Sequence, residues 1–306
     1  MSNREAAYWI ATENGNVRCG LCPHRCHIAE NKAGICGVRE NLGGKLVACG
    51  YGAVSSIALD PIEKKPLYMF HPGTYILSVG GYGCNLQCQF CQNFEISVAR
   101  QGDGAKQGDG SSAFCSENSR NRPPAWNHLP DDIAKLAVQT VPDGNIGVAY
   151  TYNEPLIGYE FLCDCAKLVR DAGLYNVLVT NGYINKEPLE ALLPLIDAMN
   201  IDLKGFTDGF YKKVGGDLET VKETIAISHR RCHVEVTTLV IPGENEEDIE
   251  HLAKWLSTLS PDIPLHLSRF FPRYRYSDRE PTPRETIYRL RDIAGKYLKN
   301  VFTGNM

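Results

Sequence analysis

The residues best suited to chemistry are three cysteines in Gly81-Tyr-Gly-Cys84-Asn-Leu-Gln-Cys88-Gln-Phe-Cys91-Gln-Asn93. Thiolates are the usual protein ligands of iron–sulfur clusters, and most such clusters take four of them. A tight group of three leaves one iron of a [4Fe-4S] cluster without a protein ligand. That iron can bind a small molecule and inject an electron into it. The blander use of such a group is a structural zinc knuckle completed by a distant cysteine or histidine. The spacing, and the position directly after a predicted strand, favour the cluster.

A second group, Cys19-Gly-Leu-Cys22-Pro-His-Arg-Cys26, is followed by Cys36 in GICGVRE, with His24 and His27 close by. C-x-x-C can present two sulfurs to one ion. Pro23 stiffens the first turn, and Gly34 lets the chain fold back to bring Cys36 in. Four thiolates would close the site, so the expectation is a second, structural metal centre. Zinc and a second iron-sulfur cluster both fit, and unligated thiols are the alternative. A small extension gains much from such a staple. The other five of the twelve cysteines (Cys49, Cys115, Cys163, Cys165 and Cys232) are scattered.

These groups need elements to hold them. Residues 1–74 are rich in cysteine and glycine and are read as an N-terminal extension; residues 75–306 are read as the main domain. TYILSVGG is a short apolar, β-branched run bounded by glycines, which reads as a buried strand, and it feeds the three-cysteine motif. Residues 101–128, rich in Gly, Ser, Asn and Pro without a period, are expected to form a long flexible loop. After it, helices such as DDIAKLAVQTV and LIGYEFLCDCAKLVRDAG alternate with apolar strands such as GVAYTY, NVLVTNG, AMNIDLKG, CHVEVTTLVIPG and PLHLSRFFP. NVFTG adds a short strand candidate at the end. Such alternation implies a parallel sheet covered by helices. About six βα units fall short of the eight of a closed barrel, so the fold class expected is α/β, a partial (β/α)6 TIM-like barrel with a Cys-rich extension.

Composition narrows the setting. The chain has 306 residues, 43% hydrophobic and 22% charged, as in an ordinary globular enzyme. A net charge of −4 leaves no footprint for nucleic acid. No apolar run approaches the roughly 20 residues needed to span a bilayer, and no secretory signal opens the sequence. Clustered cysteines in such a chain point to metal or redox chemistry, and a reducing cytoplasm is the expected compartment.

The three-then-two cysteine spacing, the aromatic residue before the third cysteine and the partial barrel resemble the radical S-adenosylmethionine (SAM) superfamily. Within it the chain is similar to the pyruvate formate-lyase activating enzyme group, and most of all to the AmmeMemoRadiSam system radical enzymes. The matching motifs are ACGYG, DPIEKKPL-x-x-FHPG, SVGGYGCNLQCQFCQN, TYNEP, VTNGY, NIDLKG, LVIPGEN and HLSRFFP, from about residue 17 to about residue 275. The resemblance implies a [4Fe-4S] cluster on Cys84, Cys88 and Cys91, with S-adenosyl-L-methionine bound to its open iron. It implies cofactor contacts from Phe90 and Gln92 beside Cys91. The family's Gly-Gly-Glu strand end is Tyr152-Asn153-Glu154 here, which offers Glu154 to the methionyl amino group; a helix-capping carboxylate is the bland alternative. Asp202 and Lys204 alternate on a strand and so share a side. Lys204 suits a carboxylate or ribose and Asp202 a hydroxyl or cation, unless the two simply pair. His266 is expected at a strand end near the cofactor's ribose or adenine, against the reading of a satisfied core histidine. Thr180, Asn181, Thr237, Arg269 and Arg273 are weaker candidates, and no catalytic side chain is assigned beyond the cluster and cofactor site.

The activity implied is one-electron cleavage of S-adenosylmethionine to methionine and a 5′-deoxyadenosyl radical, which takes a hydrogen atom from a substrate. That substrate is a glycine of a glycyl-radical partner enzyme, or else a cofactor or peptide. The electron would come from a flavodoxin or ferredoxin. Memo-like and AMMECR1-like proteins are the other implied partners, and a non-catalytic, metal-stabilised barrel that binds them is the rival reading.

Overall fold

The computed structural model describes residues 4–98 and 126–306. Most of the expected loop, including Cys115, lies outside the described residues. Its last part is inside them, where Trp126–Asn127 pairs antiparallel with Ala53–Val54. Among the described residues no helix is long and apolar enough to cross a membrane.

Among the described residues the main sheet has eight strands. Seven are parallel and follow one another in chain order: Tyr75–Gly80, Asn145–Thr151, Tyr175–Thr180, Ala198–Asp202, His233–Val240, Leu265–Arg269 and Val301–Gly304. The first six are each followed by helix before the next begins, which makes six βα units and a partial barrel. The NVFTG segment is the seventh strand, paired with Leu265–Arg269. The eighth, Ser56–Pro61, comes from the extension and runs antiparallel beside Tyr75–Gly80. The extension thus continues into the barrel sheet, with no break in the sheet at residue 74.

These strands form because they are buried on both faces: Ile76, Leu77, Ser78, Val79 and Gly80 are all buried. The helices are one-sided. In Tyr159–Asp171 the buried positions Leu162, Cys165, Ala166 and Val169 recur every three or four residues, one stripe against the sheet. In Pro130–Gln139, Pro130 occupies the first turn, where its missing N–H costs nothing, and Asp132 accepts from the Leu129 amide at 2.8 Å.

The residues between Ser56–Pro61 and Tyr75–Gly80 close the N-terminal end of the barrel. The amides of Tyr68 and Met69 donate to Glu235 at 3.0 and 2.8 Å, and Asn200 donates to the Pro66 carbonyl at 2.8 Å. The cysteine-rich part packs on the opposite side of the first strands. Its small sheets are Trp9–Ala11, Val17–Cys19 and His27–Ile28, and the hairpin Arg39–Leu42 with Lys45–Ala48. Arg39 fixes it to the barrel: it is 1% exposed and donates to both carboxylate oxygens of Glu160 on helix Tyr159–Asp171, at 3.0 and 3.2 Å.

Candidate active site

Cys84, Cys88 and Cys91 lie on the loop that leaves Gly80, at the C-terminal end of the first parallel strand, where barrel folds build their sites. Gly83 sets the loop's course. Its φ is +83°, and a Cβ there would stand 2.5 Å from the Cys36 carbonyl oxygen, so only glycine fits. The Gly83 amide donates to Ile96 and the Gln87 amide to Val214, both backbone carbonyls, at 2.9 and 2.8 Å. Asn181 Nδ2 approaches Cys84 Sγ at 3.6 Å and donates to Asn85 Oδ1 at 2.9 Å.

Burial pushes the Cys84 thiol well above its ordinary pKa, and the Glu154 carboxylate adds to this. Burial pushes Cys88 up to about 12, against the pull of Lys204. Each of these two thiols is also raised by other cysteines of the trio, so the three are electrostatic neighbours. Buried thiols become thiolates when a cation compensates them. Three half-buried thiols on one loop, with Asn181 beside Cys84 and Lys204 beside Cys88, fit a thiolate-ligated iron cluster. Among the described residues no three His, Cys, Asp or Glu side chains already stand as ligands of one metal ion.

Asp202 ends its strand, and Lys204 follows two residues later. The two pair at 2.8 Å, with side chains 30% and 18% exposed. Burial disfavours the ammonium, but Asp202 and then Cys88 outweigh it and hold the Lys204 pKa above the ordinary value. The structure therefore brings this pair to the cysteine loop while also forming the mutual salt bridge. Gln92 is exposed beside Cys91.

Three of the expected cofactor contacts have protein partners in this structure. Glu154 is not an open ligand: Oε1 accepts from the Leu156 amide at 3.0 Å and the Thr180 hydroxyl at 2.7 Å, and Oε2 accepts from the Asn181 amide at 2.8 Å. It caps the turn Pro155–Gly158 and ties two strand ends together, and burial lifts its pKa to about 7 despite those donors. The ring of Phe90 is 5% exposed and packs with Phe210 and Tyr276 at centroid distances of 6.1 and 6.0 Å, so it anchors the loop in the core. His266 is the second residue of Leu265–Arg269 rather than its end. Its Nε2 lies 2.6 Å from Glu235, and its ring sits between Tyr68 and Phe302. This is the satisfied core histidine, in the polar plug that closes the barrel's N-terminal end. Of the weaker candidates, Thr180 and Asn181 reach the site, whereas Thr237 donates to Asn200 and Arg269 to the Thr282 carbonyl.

A further group went unread in the sequence. Tyr152 has φ +70°, the left-handed conformation that the glycines of the resembled family would adopt without strain. Its ring lies over Gly80, where a Cβ would come within 2.8 Å, and its hydroxyl donates to Asp60 at 2.7 Å. Lys65, 3% exposed, pairs with the same carboxylate oxygen at 2.8 Å and lies 4.7 Å from the Tyr152 ring centroid. The signal available was DPIEKKPL, whose Asp60 and Lys65 stand five residues apart.

The sequence matches the Radical SAM superfamily over residues 78–256, more than half of the chain. An uncharacterized protein of Methanocaldococcus jannaschii, MJ0808, is 40% identical over 99% of this chain and 85% of its own length. A second protein of that organism, MJ1632, provisionally named a glycyl-radical enzyme activating enzyme, is 30% identical over 72% of this chain and 77% of its own. Streptococcus suis SuiB, solved bound to S-adenosylmethionine, has a similar fold at a TM-score of 0.52 and 14% identity, over 73% of this chain and 48% of SuiB. The chain therefore belongs to the Radical SAM superfamily, as an enzyme whose cofactors are a [4Fe-4S] cluster and S-adenosyl-L-methionine.

Proposed function

We propose that this chain is a glycyl-radical-activating type of enzyme, which takes a hydrogen atom from a glycine of a partner protein. When bound, the cluster and S-adenosylmethionine supply a 5′-deoxyadenosyl radical by one-electron cleavage of the C5′–S bond. The chain's own residues do the rest. Cys84, Cys88 and Cys91 would hold the cluster. Asn181 sets the position of Cys84, and Glu154 sets that of Asn181. Lys204, paired with Asp202, lies beside the cysteine loop as the cation for the cofactor's carboxylate, and exposed Gln92 is a second contact. A flavodoxin or ferredoxin is the reductant this chemistry needs.

The observation that carries the reading is the trio of half-buried cysteines on one loop, with the Lys204–Asp202 pair beside Cys88. The 30% likeness to a protein named as a glycyl-radical activator supports the substrate class. The test is anaerobic reconstitution with iron, sulfide, dithionite and S-adenosylmethionine. Production of 5′-deoxyadenosine, with a glycyl-radical EPR doublet on an added candidate partner, supports the proposal. Production of 5′-deoxyadenosine with label transferred only from a small molecule or a non-glycine position would overturn the substrate assignment.

A further inference from the structure

Cys19, Cys22, Cys26 and Cys36 have no part in the site described above. All four line one small cavity of about 10 Å³ in the extension, with Ile28 among its apolar walls. Cys19, Cys22 and Cys36 are buried, and Cys26 is half-buried. The backbone gathers them: the Cys19 amide donates to the Cys26 carbonyl at 3.0 Å, and the Arg25 amide to the Cys22 carbonyl at 3.1 Å. The loop carrying Cys36 returns through Gly34, where a Cβ would lie 3.5 Å from Cys26 Sγ.

Arg39 lines the same cavity. Its Nη1 is engaged by Glu160 and its Nη2 by the Ala7 carbonyl, yet its buried Nε finds no partner. A buried N–H without an acceptor is costly, and a pocket of neutral thiols offers it only weak ones. A metal bound by four thiolates is anionic as a whole and its sulfurs are good acceptors. Such a centre would satisfy Nε and be partly neutralised by the guanidinium.

We propose that Cys19, Cys22, Cys26 and Cys36 hold a second, thiolate-ligated metal centre, zinc or iron–sulfur, with Arg39 Nε donating to a ligating sulfur. The centre lies directly behind the catalytic loop. The Cys36 carbonyl meets Gly83, next to Cys84, and His24 Nε2 is 2.7 Å from the Asn85 carbonyl oxygen. Four thiolates leave no open position, so the centre braces that loop and binds no substrate.

The test is metal and acid-labile sulfide analysis of the full chain carrying Cys84→Ala, Cys88→Ala and Cys91→Ala, with circular dichroism to establish that it is folded. Retained zinc, at about one per chain, or retained iron with matching sulfide supports the proposal and tells which metal it is. A folded variant without metal overturns it. Because that variant could misfold, Cys22→Ser with Cys26→Ser in the otherwise native chain gives a second reading. Metal content must fall below that of the native protein, and unchanged content overturns the assignment. R39K keeps a cation for Glu160 but removes the Nε donor, and is expected to release metal to a chelator about tenfold faster. An unchanged release rate would remove Arg39 from the centre.

Discussion

Lys204 and Glu235 carry opposite burdens among the buried charges. Lys204 is held charged by Asp202 next to Cys88 and Cys91, so its removal should tell on the cofactor more than on the fold. Lys204→Ala is expected to weaken S-adenosylmethionine binding about tenfold, or roughly 1.4 kcal/mol, with a small change in the urea midpoint; equilibrium dialysis and urea titration separate the two. Any one of Cys84→Ala, Cys88→Ala or Cys91→Ala should abolish 5′-deoxyadenosine formation while far-UV circular dichroism stays unchanged. Glu235 belongs to the fold. Burial alone would raise its pKa, but hydrogen bonds from His233, His266 and the Met69 and Tyr68 amides win and hold it at about 2. A carboxylate depressed in the folded state contributes stability above its unfolded pKa of about 4.3. That contribution is lost as pH falls through its folded value. Between pH 5 and 2 the loss should amount to about 3 kcal/mol. Glu235→Gln should flatten this part of the stability curve, and an unchanged acid limb would contradict the assignment.

At the scale of elements, the site depends on how strand ends are joined. Glu154 links the turn after Asn145–Thr151 to the end of Tyr175–Thr180, and Asn181 passes that placement on to Cys84. Gly83 makes the other join, between the cysteine loop and the extension. Gly83→Ala puts a methyl group against the Cys36 carbonyl at a positive φ. The expected cost is about 1–3 kcal/mol, with a lower iron content after reconstitution; calorimetry and iron analysis read the two effects. Full cluster loading with an unshifted Tm would show that this contact does not set the loop.

For the whole molecule, the buried Arg39–Glu160 pair fastens the extension to the barrel. Removing one partner of a buried pair leaves the other charge unpaired, which typically costs about 3–5 kcal/mol. Glu160→Ala should therefore destabilise the chain by that order and expose the extension to limited proteolysis before the barrel. Simultaneous cleavage of both regions would mean that they unfold as one unit. Ser56–Pro61, which pairs along the full length of Tyr75–Gly80, is expected to stay with the barrel, so the early cleavage should fall before residue 56.

What the sequence determined by itself was whatever depends on near neighbours along the chain. The C-x3-C-x2-C spacing pointed to the superfamily that the chain belongs to. Apolar runs marked the strands, and one-sided periodicity marked the helices between them, enough for six βα units and a partial barrel. Asp202 and Lys204 could be placed on one side from their spacing of two. The fate of Glu154, Phe90 and His266 could not be read in this way. Each is decided by partners far along the chain: Thr180 lies 26 positions from Glu154, and Glu235 lies 31 from His266. A buried polar group takes whichever donors or acceptors the fold brings to it, and local pattern does not encode which these are. The same holds for Tyr152 against Asp60, 92 positions apart, and for Arg39 against Glu160, 121 apart. For partners so far apart along the chain, tertiary structure alone decided which groups meet, because the barrel closes distances that the chain leaves open.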